Sequence, residues 1–247
     1  MLRLPNQRSH DMANGNTFEP QGKYSSPSLD SSITLDSAQA IRVFRRCFET
    51  ASHSLFVIDV ISRALASAYP DPEFKKVDGA VGQMMTDMEN MIAGEIGRIN
   101  ALLEANGQGH QKPRYSNSET FSFAISSPVI LRFASILVRF DEMYNRLDTA
   151  WLCGLVDSTK AQEFRREKLH WIQRIVRKLQ SLSTSAIKRG RKAKLDQSML
   201  DGLEQKSKDN AKHMDADEDA SADGVDARGA AGAEHTQNAE EREPAVA

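Results

Sequence analysis

Apolar residues recur at helical spacing in four stretches of the chain, each flanked by residues that begin or end helices. Tyr69-Pro70-Asp71-Pro72 interrupts the pattern after the first stretch, and Asn106-Gly107 follows the second. Gly154 ends the third stretch. The stretches begin near Ala38, Phe74, Pro128 and Ser158. The pattern predicts a mainly α fold with four helices, of which the first two are long.

Two short segments alternate polar and apolar residues, as half-buried strands do, and each directly precedes a predicted helix. They are Ser32–Asp36 and Thr120–Ser126. Residues 33–42 can be aligned with 123–132 without a gap, as strand, serine cap and helix. Because a lone strand is unstable, the two should pair with each other or with copies in a second chain. The sequence leaves both pairings open, and either gives a short two-stranded ribbon backed by helices.

Charge is divided sharply along the chain, although the net charge is only −2. Residues 160–194 contain twelve Lys and Arg against two Glu, whereas residues 196–247 contain fourteen Asp and Glu against five Lys and Arg. A basic block in a foldable region is typical of a polyanion-binding surface. The composition predicts a flexible arm at 1–28, a folded domain at 29–194 and a disordered acidic tail at 195–247.

Double-stranded DNA is the partner that these features favour. A helix face with a cationic extension suits phosphate contacts, although a solvated helix face would carry similar residues. A two-stranded ribbon fits the major groove, with Ser32, Thr34 and Ser122 expected on its outer face, although a purely structural hairpin remains open. The predicted phosphate-binding residues are Arg165, Arg166, Lys168, Arg174, Arg177, Lys178, Lys188, Arg189, Arg191, Lys192 and Lys194.

No catalytic constellation stands out, so we expect neither an enzyme nor a small-molecule substrate, cofactor or metal. Glu167 and His170 have the spacing of a di-iron helix, but the other helices supply no matching ligands. Cys47 and Cys153 lie in apolar helical patterns, where buried free thiols are expected. No signal peptide or membrane span is evident, which predicts a cytoplasmic protein.

Four segments resemble the AcaB-like family of regulators carried by conjugative plasmids and integrative elements. They are residues 23–27 (KYSSP), 33–44 (ITLDSAQAIRVF), 49–55 (ETASHSL) and 147–154 (LDTAWLCG). The resemblance implies a ribbon-helix-helix-like, dimeric DNA-binding protein that regulates transcription of transfer functions. It also implies that the strand near Ser32 approaches the DNA groove.

Together these observations predict a DNA-binding transcriptional regulator of a conjugative or integrative mobile element. The alternative is a non-catalytic helical scaffold of the conjugation system, whose apolar stripes bind partner helices. The operator and the direction of regulation are not evident from the sequence.

Overall fold

The computed structural model describes residues 27–68 and 72–222, with side chains described over 27–67 and 79–212. Most of the predicted arm at 1–28 and the end of the predicted tail at 223–247 lie outside the described residues. The elements are β1 (Leu29–Leu35), α1 (Ala38–Ala68), α2 (Pro72–Ala105), β2 (Glu119–Ile125), α3 (Pro128–Leu152), α4 (Ser158–Lys192) and α5 (Gln197–Ala222). The mainly helical class and the two strands agree with the sequence-based expectation.

The helix count was wrong, because the described residues contain five helices rather than four. The additional helix, α5, occupies residues 197–222 of the segment predicted to be disordered. Leu200 of α5 is fully buried in a small apolar cluster with Val57 of α1 and Ile187 of α4. The few apolar residues of α5 contact α1 and α4, which lie far away in sequence. Because the segment is otherwise polar and acidic, its composition did not predict a packed helix.

The order strand–helix–helix occurs twice in succession, as β1-α1-α2 and β2-α3-α4. Leu29 and Glu119, which begin the strands, are ninety residues apart, and so are Ala38 and Pro128, which begin the following helices. The strands pair antiparallel within one chain, with Ser32 opposite Ser122. These two serines are also ninety residues apart, so an approximate two-fold axis passes between them. The strand pairing left open by the sequence is therefore intramolecular.

The ribbon formed by β1 and β2 packs on α1 through aromatic side chains and also contacts α3. The ring centroid of Phe44 lies 4.2 Å from that of Phe121, and Phe48 lies 4.8 Å from Phe123. Behind this layer, α1 packs mainly against α4, and α3 packs mainly against α2. Each second helix therefore contacts the first helix of the other unit, which locks the two repeats into a single core.

A buried carboxylate fixes the corner between β1 and α1. Asp141 of α3 accepts hydrogen bonds from the backbone N–H of Asp36 at 3.1 Å and of Ser37 at 2.7 Å. The Ser37 hydroxyl also donates to Asp141, at 2.6 Å, and accepts weakly from the N–H of Ala40 at 3.3 Å. Since these donors begin α1, Asp141 ties the orientation of the ribbon to the second repeat.

Candidate nucleic-acid interface

The outer face of the ribbon is polar and accessible. The structure exposes Ser32, Thr34 and Ser122, which were expected to face outward. It also exposes Thr120, whose hydroxyl lies 2.9 Å from that of Thr34 across the strands. The alternation of residues 120–126 contained the signal for Thr120, because position 120 shares a face with Ser122. Small hydroxyl side chains leave the strand backbone accessible to a close-fitting partner.

The second candidate surface is the outward face of α4. The N-cap of this helix is Asp157, whose side chain accepts a hydrogen bond from the N–H of Lys160 at 2.9 Å. That hydrogen bond, together with the hydrogen bond and the charge of the Lys160 side chain, holds the pKa of Asp157 below its ordinary value. Nine predicted phosphate-binding residues are exposed, namely Arg166, Arg174, Arg177, Lys178, Lys188, Arg189, Arg191, Lys192 and Lys194. From Arg166 to Lys192 this basic face extends about 39 Å at the helical rise of 1.5 Å per residue.

Lys168 is a predicted phosphate-binding residue that the structure places elsewhere. Its side chain is 9% exposed, and its Nζ lies 2.7 Å from Oε1 of Glu95 in α2 and 3.0 Å from Glu167. Burial lowers the pKa of Lys168, but the hydrogen bonds to Glu95 and Glu167 outweigh it, and the pKa is raised. Lys168 lies one helical turn before the buried Ile172, so it faces the core rather than solvent.

Arg165 is also engaged inside the molecule. It is half-buried and donates to Oδ1 of Asp148 at 2.5 Å, while the Tyr115 hydroxyl donates to the other oxygen of Asp148 at 2.7 Å. The Arg165 guanidinium also lies 5.8 Å from the ring centroid of Trp151. This arrangement joins the end of α3 to the start of α4 and leaves Arg165 as a structural residue.

At the other end of α4, part of the basic face pairs with α5. Arg191 lies 2.6 Å from Asp201 and 2.6 Å from Glu204. These carboxylates belong to the segment predicted to be a disordered acidic tail, and their ion pairs with Arg191 hold α5 alongside α4.

The ribbon and the C-terminal part of α4 lie on opposite sides of α1. Phe48 contacts the ribbon, whereas Val57 packs in the apolar cluster with Ile187 of α4. Nine residues separate Phe48 from Val57, which is two and a half helical turns, so their side chains point in opposite directions. The ribbon and the C-terminal part of α4 are therefore separate surfaces.

The remaining candidate residues add no further site. His170 is exposed on the outward face of α4. Both cysteines are free thiols, but only Cys47 is buried, and the expectation of burial was wrong for Cys153, which lies exposed after the end of α3. Among the described residues, every helix is too short or too polar to cross a membrane.

Comparison with known proteins identifies the fold. No family model and no curated protein matches this chain. Among solved structures, AcaB from uropathogenic E. coli is similar, with a TM-score of 0.68 and 22% sequence identity. The match covers 77% of this chain and all of the AcaB chain. The chain therefore has an AcaB-like fold.

Proposed function

We propose that this protein is a DNA-binding transcriptional regulator of a conjugative or integrative mobile element. The observation that carries the proposal is the intramolecular ribbon, which has an aromatic inner face and an exposed outer face of hydroxyl side chains. A two-stranded antiparallel ribbon of this size fits the major groove and presents alternate residues to base edges. The AcaB-like fold agrees with the resemblance of the sequence to AcaB-like regulators.

The two candidate surfaces have separable roles in this proposal. The ribbon selects the site, as in ribbon-helix-helix proteins, because its Ser and Thr side chains can donate to or accept from base edges. The α4 face supplies affinity through phosphate contacts, which release counterions and are independent of sequence. Since the ribbon and the C-terminal part of α4 lie on opposite sides of α1, these two regions contact different DNA segments, or one segment that bends around the protein.

A salt-series binding assay tests the phosphate contacts. Six exposed cations of the α4 face are replaced together by alanine in one variant: Arg166, Arg174, Lys178, Lys188, Lys192 and Lys194. For each phosphate contact that this variant removes, the slope of log affinity against log salt should fall by about 0.9. Lys168→Met combined with Glu95→Leu is the matched control, because it removes a cation that is buried. An unchanged slope in the six-residue variant would remove the α4 face from the proposal.

The ribbon is tested separately, with promoters of the transfer genes of the mobile element and a duplex of random sequence. Ser32→Asp places a carboxylate at the centre of the outer face, next to Ser122. It should abolish the preference for the promoters, since it removes the central hydroxyl donor and adds a second negative charge beside Asp30, close to the phosphates. Binding to the random duplex through α4 should persist. The proposal fails if the intact chain binds neither duplex, or if Ser32→Asp retains full promoter preference.

A helical scaffold protein is the second candidate, favoured by two exposed apolar residues of α3. Leu131 is 46% exposed and Val138 is 41% exposed, and seven residues apart they share one face. A pull-down with and without nuclease separates the candidates. Partners that survive nuclease in the absence of copurifying nucleic acid support the scaffold, provided that Leu131→Gln with Val138→Gln releases them.

A further inference from the structure

The two ends of the ribbon's outer face differ chemically. At one end Thr34 and Thr120 lie opposite each other, and at the other end Asp30 lies opposite Ala124. The approximate two-fold axis, which exchanges residues ninety positions apart, places Asp30 where Thr120 stands and Ala124 where Thr34 stands. In a ribbon made from two identical chains such pairs would be the same residue. Here they differ, because both strands come from one chain.

We propose that one chain is a complete reading unit and that it recognises an asymmetric, non-palindromic duplex site. This inference rests on the proposed function and specifies the kind of DNA site that the protein binds. The Asp30 end and the threonine end contact different base pairs, so the protein binds in one orientation. A second chain is not needed to complete the ribbon, since the two strands that the described residues form pair with each other within the chain.

The chemistry of the two ends predicts what each contacts. A carboxylate at Asp30 accepts hydrogen bonds from the exocyclic amino group of cytosine and is repelled by nearby phosphates. A threonine offers a hydroxyl to either kind of base edge, and its methyl group can contact the methyl group of thymine. Ala124 adds only a methyl group, so polar contacts at its end depend on Asp30.

The size of the ribbon limits how much sequence it contacts. Asp30 and Thr34 are four residues apart on one strand, which is about 13 Å at the rise of an antiparallel strand. At about 3.4 Å per base pair, this distance corresponds to about four base pairs. The central pair, Ser32 and Ser122, is symmetric. The asymmetry of the DNA sequence should therefore appear at the two ends of these four base pairs.

The test is selection of bound duplexes from a random library by the full chain, followed by native mass spectrometry of the selected complex. We expect a non-palindromic core and one chain per duplex. Exchanging the base pair at the Asp30 end for its inverse should weaken binding about tenfold or more, the usual effect of losing one good base contact.

A symmetrising variant makes the test specific. Asp30→Thr combined with Ala124→Thr gives all three outward pairs two-fold-equivalent residues, and threonine suits the outer face of a strand. The core selected by this variant should become palindromic. Ser135→Ala, an exposed change on α3, is the control and should leave the selected core unchanged. Circular dichroism establishes that each variant retains the helical content of the parent.

The outcomes separate the inference from the function on which it rests. A palindromic core with two chains per duplex overturns the inference and leaves DNA binding intact. An unchanged asymmetric core in the symmetrised variant also overturns it, because the asymmetry would then come from residues outside the ribbon. Absence of any bound duplex overturns both the inference and the proposed function.

Discussion

Replacement of Lys168 by methionine distinguishes a buried structural cation from a DNA contact. Methionine keeps most of the apolar stem and removes the ammonium group that lies 2.7 Å from Glu95. The Glu95 carboxylate, 9% exposed, is then left with Arg98, whose Nη2 is 3.4 Å away and which is itself largely exposed. The perturbation therefore leaves one buried charge without its main partner.

The expected cost follows from this geometry. Removing one partner of a buried ion pair costs about 3–5 kcal/mol, and the nearby Arg98 places this case at about 3 kcal/mol. Replacing both partners, as Lys168→Met with Glu95→Leu, leaves no buried charge and should cost less than about 1 kcal/mol. Since the pKa of Lys168 is raised in the fold, the stabilisation from its ion pair with Glu95 is fully present at neutral pH. It is lost only as the pH rises above about 10.4.

Urea denaturation of the parent, of Lys168→Met, of Glu95→Leu and of the double variant measures the coupling free energy between Lys168 and Glu95 directly. DNA binding is measured on the same proteins by fluorescence anisotropy, with Arg174→Met as the exposed comparison. The double variant should bind DNA within about twofold of the parent, whereas Arg174→Met should lose the phosphate contact proposed for Arg174 and its share of the salt slope. A cost below about 1 kcal/mol for Lys168→Met, or a drop in DNA affinity in the double variant equal to that of Arg174→Met, would refute this reasoning.

Three further predictions concern stability. Gly97→Ala should raise the free energy of unfolding by about 1 kcal/mol, because an added Cβ meets no atom within 4 Å, whereas Gly190→Ala should give no gain, since Leu200 lies 3.1 Å from its Cβ. Burial, aided by Lys206, lowers the pKa of His53 to about 4, so stability should fall by about 2 kcal/mol between pH 7 and pH 5, and His53→Gln should remove this pH dependence. Deleting residues 213–247 should leave the thermal midpoint nearly unchanged, whereas deleting 196–247 should lower it by several degrees; equal effects would contradict the packing of α5.

Local patterns in the sequence predicted much of the repeated unit. Alternation located both strands within a few residues, and α3 and α4 begin at Pro128 and Ser158 as expected. These signals succeed because capping and alternation depend on neighbours in the chain. The alignment of residues 33–42 with 123–132 also anticipated the ninety-residue repeat, although it could not decide which strands pair.

Long-range packing accounts for the differences. Helical spacing alone did not separate Lys168 from Arg166, because whether a lysine is buried depends on the carboxylate opposite it, here Glu95 of α2. Similarly, the neighbours of Asn210 in the sequence do not predict that its backbone oxygen accepts a hydrogen bond from Thr50. Such contacts join residues more than seventy positions apart and cannot be predicted from the spacing of apolar residues along the chain.

The placement of α5 changes the interpretation of the charge division. Two of the acidic residues of this segment form ion pairs within the molecule, since Asp201 and Glu204 both pair with Arg191. The apolar cluster around Leu200 fixes this part of α5, so it cannot leave α4 without exposing buried surface. We therefore expect residues 213–247, which carry ten acidic residues against two basic ones, to be the main segment that competes with DNA for the α4 face. Deletion of that segment alone should raise affinity for random duplex at low salt and have little effect at high salt, because exposed charges are screened there.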